Sequence, residues 1–300
     1  MPRPRFGRVI TAMVTPFAAD GALDVKGARR LAGHLVDHGS DGLVVCGTTG
    51  ESPTLSHAEK LELVEAVLDE VGERATVIAG TGTYDTRESV TLTKEACGLG
   101  VDACLVVTPY YSKPPQEGLL AHFRTVADAS SRPLMLYDIP GRTGRRIEPW
   151  TTVALAEHEQ IVAVKDAVGD AGETAFLRSR LDLAGHSEFE IYSGDDPLLL
   201  PHLAAGAVGV VSVCSHLVGE RLAELFEHWE AGRVADAQSL YTSLLPFMRT
   251  IMTVSASPIP VKAAVNMLGL EAGEPRLPLV PLDPDASDAV RRALEAQGLL

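Results

Sequence analysis

The feature that most constrains this chain is a rhythm. A short apolar run rich in β-branched residues is followed by a longer amphipathic stretch, and the pair occurs eight times before about residue 232. The runs are "RVITAMVTP", "GLVVCG", "ATVIAGTG", "ACLVVTPYY", "PLMLYDIP", "IVAVKDA", "FEIYSGD" and "GVVSVCS". A strand with one wet face alternates polar and apolar residues, whereas runs apolar throughout belong to parallel strands covered on both faces. The stretches between them carry apolar residues at helical spacing, with Ser56 and Asp85 placed as N-caps and Gly39, Gly72, Gly98 and Gly232 near C-terminal ends. Eight strand-then-helix units predict an α/β fold, a closed (β/α)8 TIM barrel. A doubly wound open sheet is the competing architecture; the unit count and the lack of a GxGxxG after the first strand favour closure.

Beyond Gly232 the pattern is helical only: "RVADAQSLYTSLLPFMRTIM", "PIPVKAAVNMLGL" and "SDAVRRALEAQGLL". The reading is therefore a catalytic barrel over 1–232 and a helical appendage over 233–300. That appendage either covers the barrel or builds a subunit interface, and the sequence leaves both open.

Composition narrows the partners. A chain 46% hydrophobic and 22% charged has ample core for a soluble globular fold. A net charge of -14 without Lys or Arg runs argues against nucleic acid or an anionic membrane, though not against a local basic pocket for a small anion. The start, "MPRPRFGRVITAMVTPF", lacks a leader's long apolar core, and no window of about 18 apolar residues occurs, so the expectation is cytoplasmic. Cys46, Cys97, Cys104 and Cys214 show no CxxC spacing and read as buried thiols.

In such a barrel the chemistry sits at the C-terminal ends of the strands. There the sequence offers Thr15-Pro16, "GTTGES", "GTGTYD", "TPYYSKPP", "YDIPGRTG", Lys165-Asp166 and "SGDD". Lys165 stands out, because an ammonium at the end of four apolar residues loses hydration worth several kcal/mol. Desolvation lowers a lysine pKa and frees neutral amine to attack a carbonyl as a Schiff-base nucleophile. The alternative is a lysine neutralised by Asp166 or Asp195; Asp166 is the weaker partner because adjacent strand residues point oppositely.

The glycines of "GTTGES" free backbone N–H groups beside the Thr48 and Thr49 hydroxyls, a cradle suited to a small carboxylate, although such a sequence is also an ordinary turn. Tyr137 and Tyr111 place phenols at the same mouth. With a free pKa of about 10, a phenol needs a relay or a cation to exchange protons near neutrality. Arg142 offers a guanidinium fork for a substrate carboxylate, with Arg145 and Arg146 as competitors.

With "GTTGES", "TPYY", "YDIPGRTG", "VKDA" and "SGDD" in order on successive strands, the chain resembles the dihydrodipicolinate synthase family of pyruvate-dependent aldolases. The likeness runs from "TAMVTPF" through "SPIPVKAAVNMLGL" to "ALEAQGLL". It implies that Lys165 forms an imine with pyruvate, whose enamine attacks L-aspartate 4-semialdehyde in the first committed step of lysine biosynthesis. It further implies Tyr137 as acid/base, Thr49 as the hydroxyl linking it to Tyr111, and Thr48 with Thr49 on the pyruvate carboxylate. Arg142 would grip the semialdehyde carboxylate, and the Val211 carbonyl would line the pyruvate pocket. Tyr111 would reach a neighbouring subunit's site in a homotetramer built as a dimer of dimers. No cofactor or metal is implied.

The sugar-acid lyases, such as N-acetylneuraminate lyase, share the lysine and tyrosine; a cation at Arg142 favours the shorter substrate ending in a carboxylate. Where family members bind inhibitory lysine, His57 and Glu88 match. Lys60 and Tyr84 stand where a histidine and an asparagine occur, which implies weak or absent inhibition. Asp138, a departure just after Tyr137, points away from it and is expected to affect proton transfer little. A metal-dependent aldolase is the mechanistic rival, but only His216 of nine histidines falls near a strand end. A barrel that binds an acid without turnover would be signalled by loss of the lysine, tyrosine or threonines, and none is missing.

Overall fold

A computed structural model describes residues 3–300. Eight parallel strands close in sequence order into one barrel: β1 Val9–Ala12, β2 Gly42–Val45, β3 Thr76–Gly80, β4 Ala103–Val107, β5 Leu134–Asp138, β6 Ile161–Asp166, β7 Glu190–Ser193 and β8 Gly209–Ser212. The helices are α1 Val25–Asp37, α2 His57–Val71, α3 Thr86–Leu99, α4 Gln116–Asp128, α5 Pro140–Thr143, α6 Pro149–Ala156, α7 Ala171–Leu183, α8 Leu199–Ala204, α9 Ser215–Glu230, α10 Val234–Thr253, α11 Ile259–Met267 and α12 Pro284–Ala296. This is the TIM barrel that the repeating rhythm predicts. The observed strands are shorter than the apolar runs, since each run spills into the loop that follows. Among the described residues no helix is long and apolar enough to cross a membrane.

The chain forms two compact units. One comprises the residues up to Thr76 with Ser212–Leu300. In it β1 and β2 pair with Ile10 opposite Gly42, and the buried faces of α1 and α2 carry Leu31, Leu35, Leu63 and Val67. Ser56 caps α2 in a reciprocal capping box with Glu59, satisfying two N–H groups that a helix start leaves without partners. Gly39 closes α1 at φ +98, and a Cβ there would lie 2.7 Å from backbone atoms of Gly219 and Glu220, so only glycine fits. The helices after α9 complete this unit through buried Leu244, Phe247, Val261, Val265, Val290 and Leu294.

The other unit is Val77–Val211. Its ladders run β3 to β8, and α3 begins with Asp85 accepting from the Arg87 N–H as read from sequence. That helix ends on Gly100 at φ +98, two residues after Gly98. The four cysteines are free and buried.

Candidate active site

In the unit Val77–Val211 the ladder sets Tyr137 opposite Lys165 and Lys165 opposite Tyr192, with Asp138, Asp166 and Ser193 one step further along. Because side chains alternate across a strand, the first three share one face of the sheet and the last three the other. Lys165 and Tyr137 are each 5% exposed, and the Lys165 Nζ lies 4.3 Å from the centroid of the Tyr137 ring. A cation over an aromatic face is attracted by the ring quadrupole, so the ring holds the ammonium form in place without an ion pair. The Lys165 stem passes beside Gly194 of "SGDD": a Cβ at 194 would sit 3.1 Å from its Cε, 2.9 Å from the Ala167 Cβ and 3.0 Å from the Asp166 carbonyl.

Burial pushes the Lys165 pKa down from 10.5 to about 8, the Asp196 carboxylate opposes this, and the Arg142 guanidinium adds to it. Among the described residues no carboxylate comes within the 4.0 Å of an ion pair with this amine. Neither of the two carboxylates weighed from sequence as a neutralising partner forms an ion pair with it. Asp166 accepts from the Val168 N–H at 3.0 Å and the Thr174 hydroxyl at 2.6 Å on the far face of the sheet. Asp195 has its own pKa raised, by burial and then by Asp196. The carboxylate that counts at Lys165 is Asp196, 1% exposed, which was legible only as the last letter of "SGDD".

Arg142 lies in α5, a single exposed turn after β5. Of its competitors, Arg145 donates to the Lys113 carbonyl at 3.1 Å, and Arg146 pairs with Glu173 at 3.0 Å. Of the three, Arg142 is the one whose charge is felt at Lys165. Tyr111 has φ +70, uncommon for a residue with a side chain, and is 92% exposed, so within one chain it does not join Tyr137 at the buried amine. Its neighbour Tyr110 packs edge-on against Tyr84 with centroids 5.2 Å apart. Val211 lies in β8 and is buried.

In the unit containing β1 and β2, Thr48 and Thr49 occupy the turn after β2, and Thr49 is buried. The turn is bracketed by Cys46 and Glu51 at φ +58 and +56, and closed by the Glu51 N–H donating to the Thr48 carbonyl at 3.1 Å. The Thr15 hydroxyl donates to the Gly50 carbonyl at 2.6 Å. Glu51 is also anchored from the chain's far end: Lys262 Nζ lies 2.6 Å from its Oε1, the Arg276 N–H donates to Oε2 at 2.8 Å, and the pair is 1% and 0% exposed. In sequence "GTTGES" and "SPIPVK" carry no local sign of this link. The available signal was a lysine inside the otherwise apolar "PIPVKAAV".

His216 proves structural. Its Nε2 accepts from the Val14 N–H at 3.0 Å, its Nδ1 lies 2.8 Å from the Val213 carbonyl, and burial lowers its pKa to about 4. Both ring nitrogens are thus used by the backbone of a neutral imidazole.

The family model described as the dihydrodipicolinate synthetase family matches residues 5–297. A 4-hydroxy-tetrahydrodipicolinate synthase from Synechococcus elongatus is 52% identical over 301 residues, covering 100% of this chain and 99% of that protein. The enzyme of that name from Acidothermus cellulolyticus is 54% identical, over 98% and 93%. Among solved structures, the dihydrodipicolinate synthase from Cyanidioschyzon merolae with lysine bound superposes with TM-score 0.95 at 43% identity, covering 99% and 100%. The Acinetobacter baumannii enzyme complexed with pyruvate gives 0.94 at 37% identity, over 98% and 100%. Matched in sequence and in structure over nearly its whole length, this chain belongs to the dihydrodipicolinate synthetase family.

Proposed function

We propose that the chain is a 4-hydroxy-tetrahydrodipicolinate synthase, condensing pyruvate with L-aspartate 4-semialdehyde through a Schiff base on Lys165. The observation that carries the reading is a buried amine with a pKa near 8, no ion-pair partner among the described residues, and a phenol ring against it. The neutral amine adds to the pyruvate ketone, and loss of water with uptake of one proton gives a protonated imine. This is an electron sink: a C3 proton leaves, and the resulting enamine attacks the aldehyde carbon. The substrate's own amine then closes the ring and releases Lys165.

Tyr137 is assigned the proton transfers beside the imine, with Thr49 linking it to Tyr111. Thr48 and Thr49 are assigned the pyruvate carboxylate, Arg142 the semialdehyde carboxylate, and Val211 the pocket wall through its backbone carbonyl. The exposure of Tyr111 in a single chain supports its delivery to a neighbour's site in a homotetramer, and the chemistry belongs to residues 1–232 with 233–300 in support. The setting is cytoplasmic.

An aldehyde panel tests the substrate. Turnover with L-aspartate 4-semialdehyde and none with N-acetylmannosamine is the expected outcome; the reverse preference would assign the chain to the sugar-acid lyases.

A further inference from the structure

Behind the sheet, the turn that carries Arg142 is held at its base by a carboxyl, and at its exit by Gln116, whose side-chain amide donates to the Arg146 carbonyl at 3.0 Å and accepts from the Glu148 N–H at 3.1 Å. Asp138, the last residue of β5, is 4% exposed, and its Oδ1 accepts from the Ile147 N–H at 3.0 Å. Residues 138 and 147 are the two ends of the turn. Between them the chain is internally rigid: Arg142 N–H donates to the Ile139 carbonyl at 3.0 Å, Gly144 N–H to the Pro140 carbonyl at 2.9 Å, and the Thr143 hydroxyl to the Arg145 carbonyl at 2.6 Å. A rigid turn on a two-ended base moves as a body when the base shifts. The Asp138 carboxyl is therefore one of the contacts that set where Arg142 stands.

We infer that Asp138 is a positioning residue for Arg142, and that its ionisation sets how firmly the site holds the carboxylate of the aldehyde substrate. The inference rests on the assignment of Arg142 as that grip. The charged groups around Asp138 come from each element packed on it: Asp166 from β6, Arg146 and Glu148 from the turn and its exit, and Glu173 from α7. Asp138, Asp166, Arg146, Glu173 and Ile147 line a cavity of about 10 Å3, room for about one water. Burial raises its pKa to about 7, the Ile147 N–H and Arg146 oppose, and Asp166 and Glu148 add to the rise. As a carboxylate, Asp138 offers Ile147 a charge-assisted acceptor and attracts Arg146; as an acid it keeps only a neutral acceptor. The Asp138 side chain lies on the sheet face opposite Tyr137.

The test is initial-rate kinetics with both substrates, at pH values on either side of about 7, for the full-length protein and for Asp138→Asn, Asp138→Ala, Arg142→Ala and the Asp138→Asn/Arg142→Ala double variant. A hydrogen bond to a charged group exceeds a neutral one enough to change affinity about fivefold. The wild-type KM for L-aspartate 4-semialdehyde should thus fall about fivefold as pH rises through that range, while the pyruvate KM follows the Lys165 titration alike in wild type and Asp138→Asn. Asp138→Asn should hold the aldehyde KM near the wild-type low-pH value at every pH. Asp138→Ala should raise it further, and in the Arg142→Ala background the Asn change should add nothing. If Asp138→Ala does not fold, the Asn variant alone decides. An Arg142→Ala variant with an unchanged aldehyde KM removes the Arg142 assignment and this inference with it. A raised KM in Arg142→Ala, with an unaltered KM and pH profile in Asp138→Asn, removes this inference only.

Discussion

Replacing Lys165 with methionine should make the protein more stable and inactive. The folded state lowers the lysine pKa from 10.5 to about 8, and each pKa unit is about 1.4 kcal/mol, so holding the ammonium in the barrel at pH 7 costs roughly 3 kcal/mol. The group is buried, so solvent screening takes little from that figure. The sign follows from linkage. Between about pH 8 and 10.5 the unfolded chain binds a proton there that the folded chain does not, so stability rises with pH across this window and the penalty fades. Methionine fills a similar volume without charge. By calorimetry at pH 7, Lys165→Met should gain about 5 °C in Tm for a chain of this length. The gain should shrink as pH approaches about 10.5. A variant less stable than wild type at pH 7, or a difference flat with pH, would show that the amine is not held against a desolvation penalty.

Gly194→Ala forces a Cβ to 3.1 Å from the Lys165 Cε; kcat should fall at least tenfold, in the range that follows misplacement of a reacting group, while circular dichroism stays native. A fully active alanine variant contradicts the packing argument. Lys262→Met strands the Glu51 carboxylate at 0% exposure, and breaking a buried pair costs about 3–5 kcal/mol, so Tm should drop by about 5–8 °C; an unchanged Tm would mean the pair contributes no net stability. Millimolar lysine should leave the activity of the purified enzyme largely intact, because Lys60 and Tyr84 replace the histidine and asparagine expected of a lysine-sensitive member. Strong inhibition would show that another set of groups forms the lysine site.

The barrel was legible because eight buried parallel strands cannot hide their composition: each must be apolar on both faces, and the resulting runs are countable. Lys165 was legible for the converse reason, as a charge where the strand's environment tolerates none without purpose. Less visible was everything set by three-dimensional approach. That Asp196 and not Asp166 or Asp195 acts on Lys165 depends on how the chain turns after β7, and that Gly194 makes room for the lysine stem depends on β6 and its neighbour. The Glu51–Lys262 pair spans 211 residues of sequence, and no local pattern announces it. Alternation along β5 turns Asp138 away from Tyr137, and the register agrees. Its hold on Ile147 emerged only when the turn closed back on the strand.

The proposed chemistry stands on a covalent bond between the Lys165 amine and pyruvate. Intact mass spectrometry after incubation with pyruvate and borohydride tests it directly, on the wild type and on Lys165→Ala. One irreversible pyruvate adduct per chain, mapped to Lys165 and missing from the alanine variant, is the expected result. An adduct that persists in Lys165→Ala, or none in a wild-type protein that turns over, would contradict it.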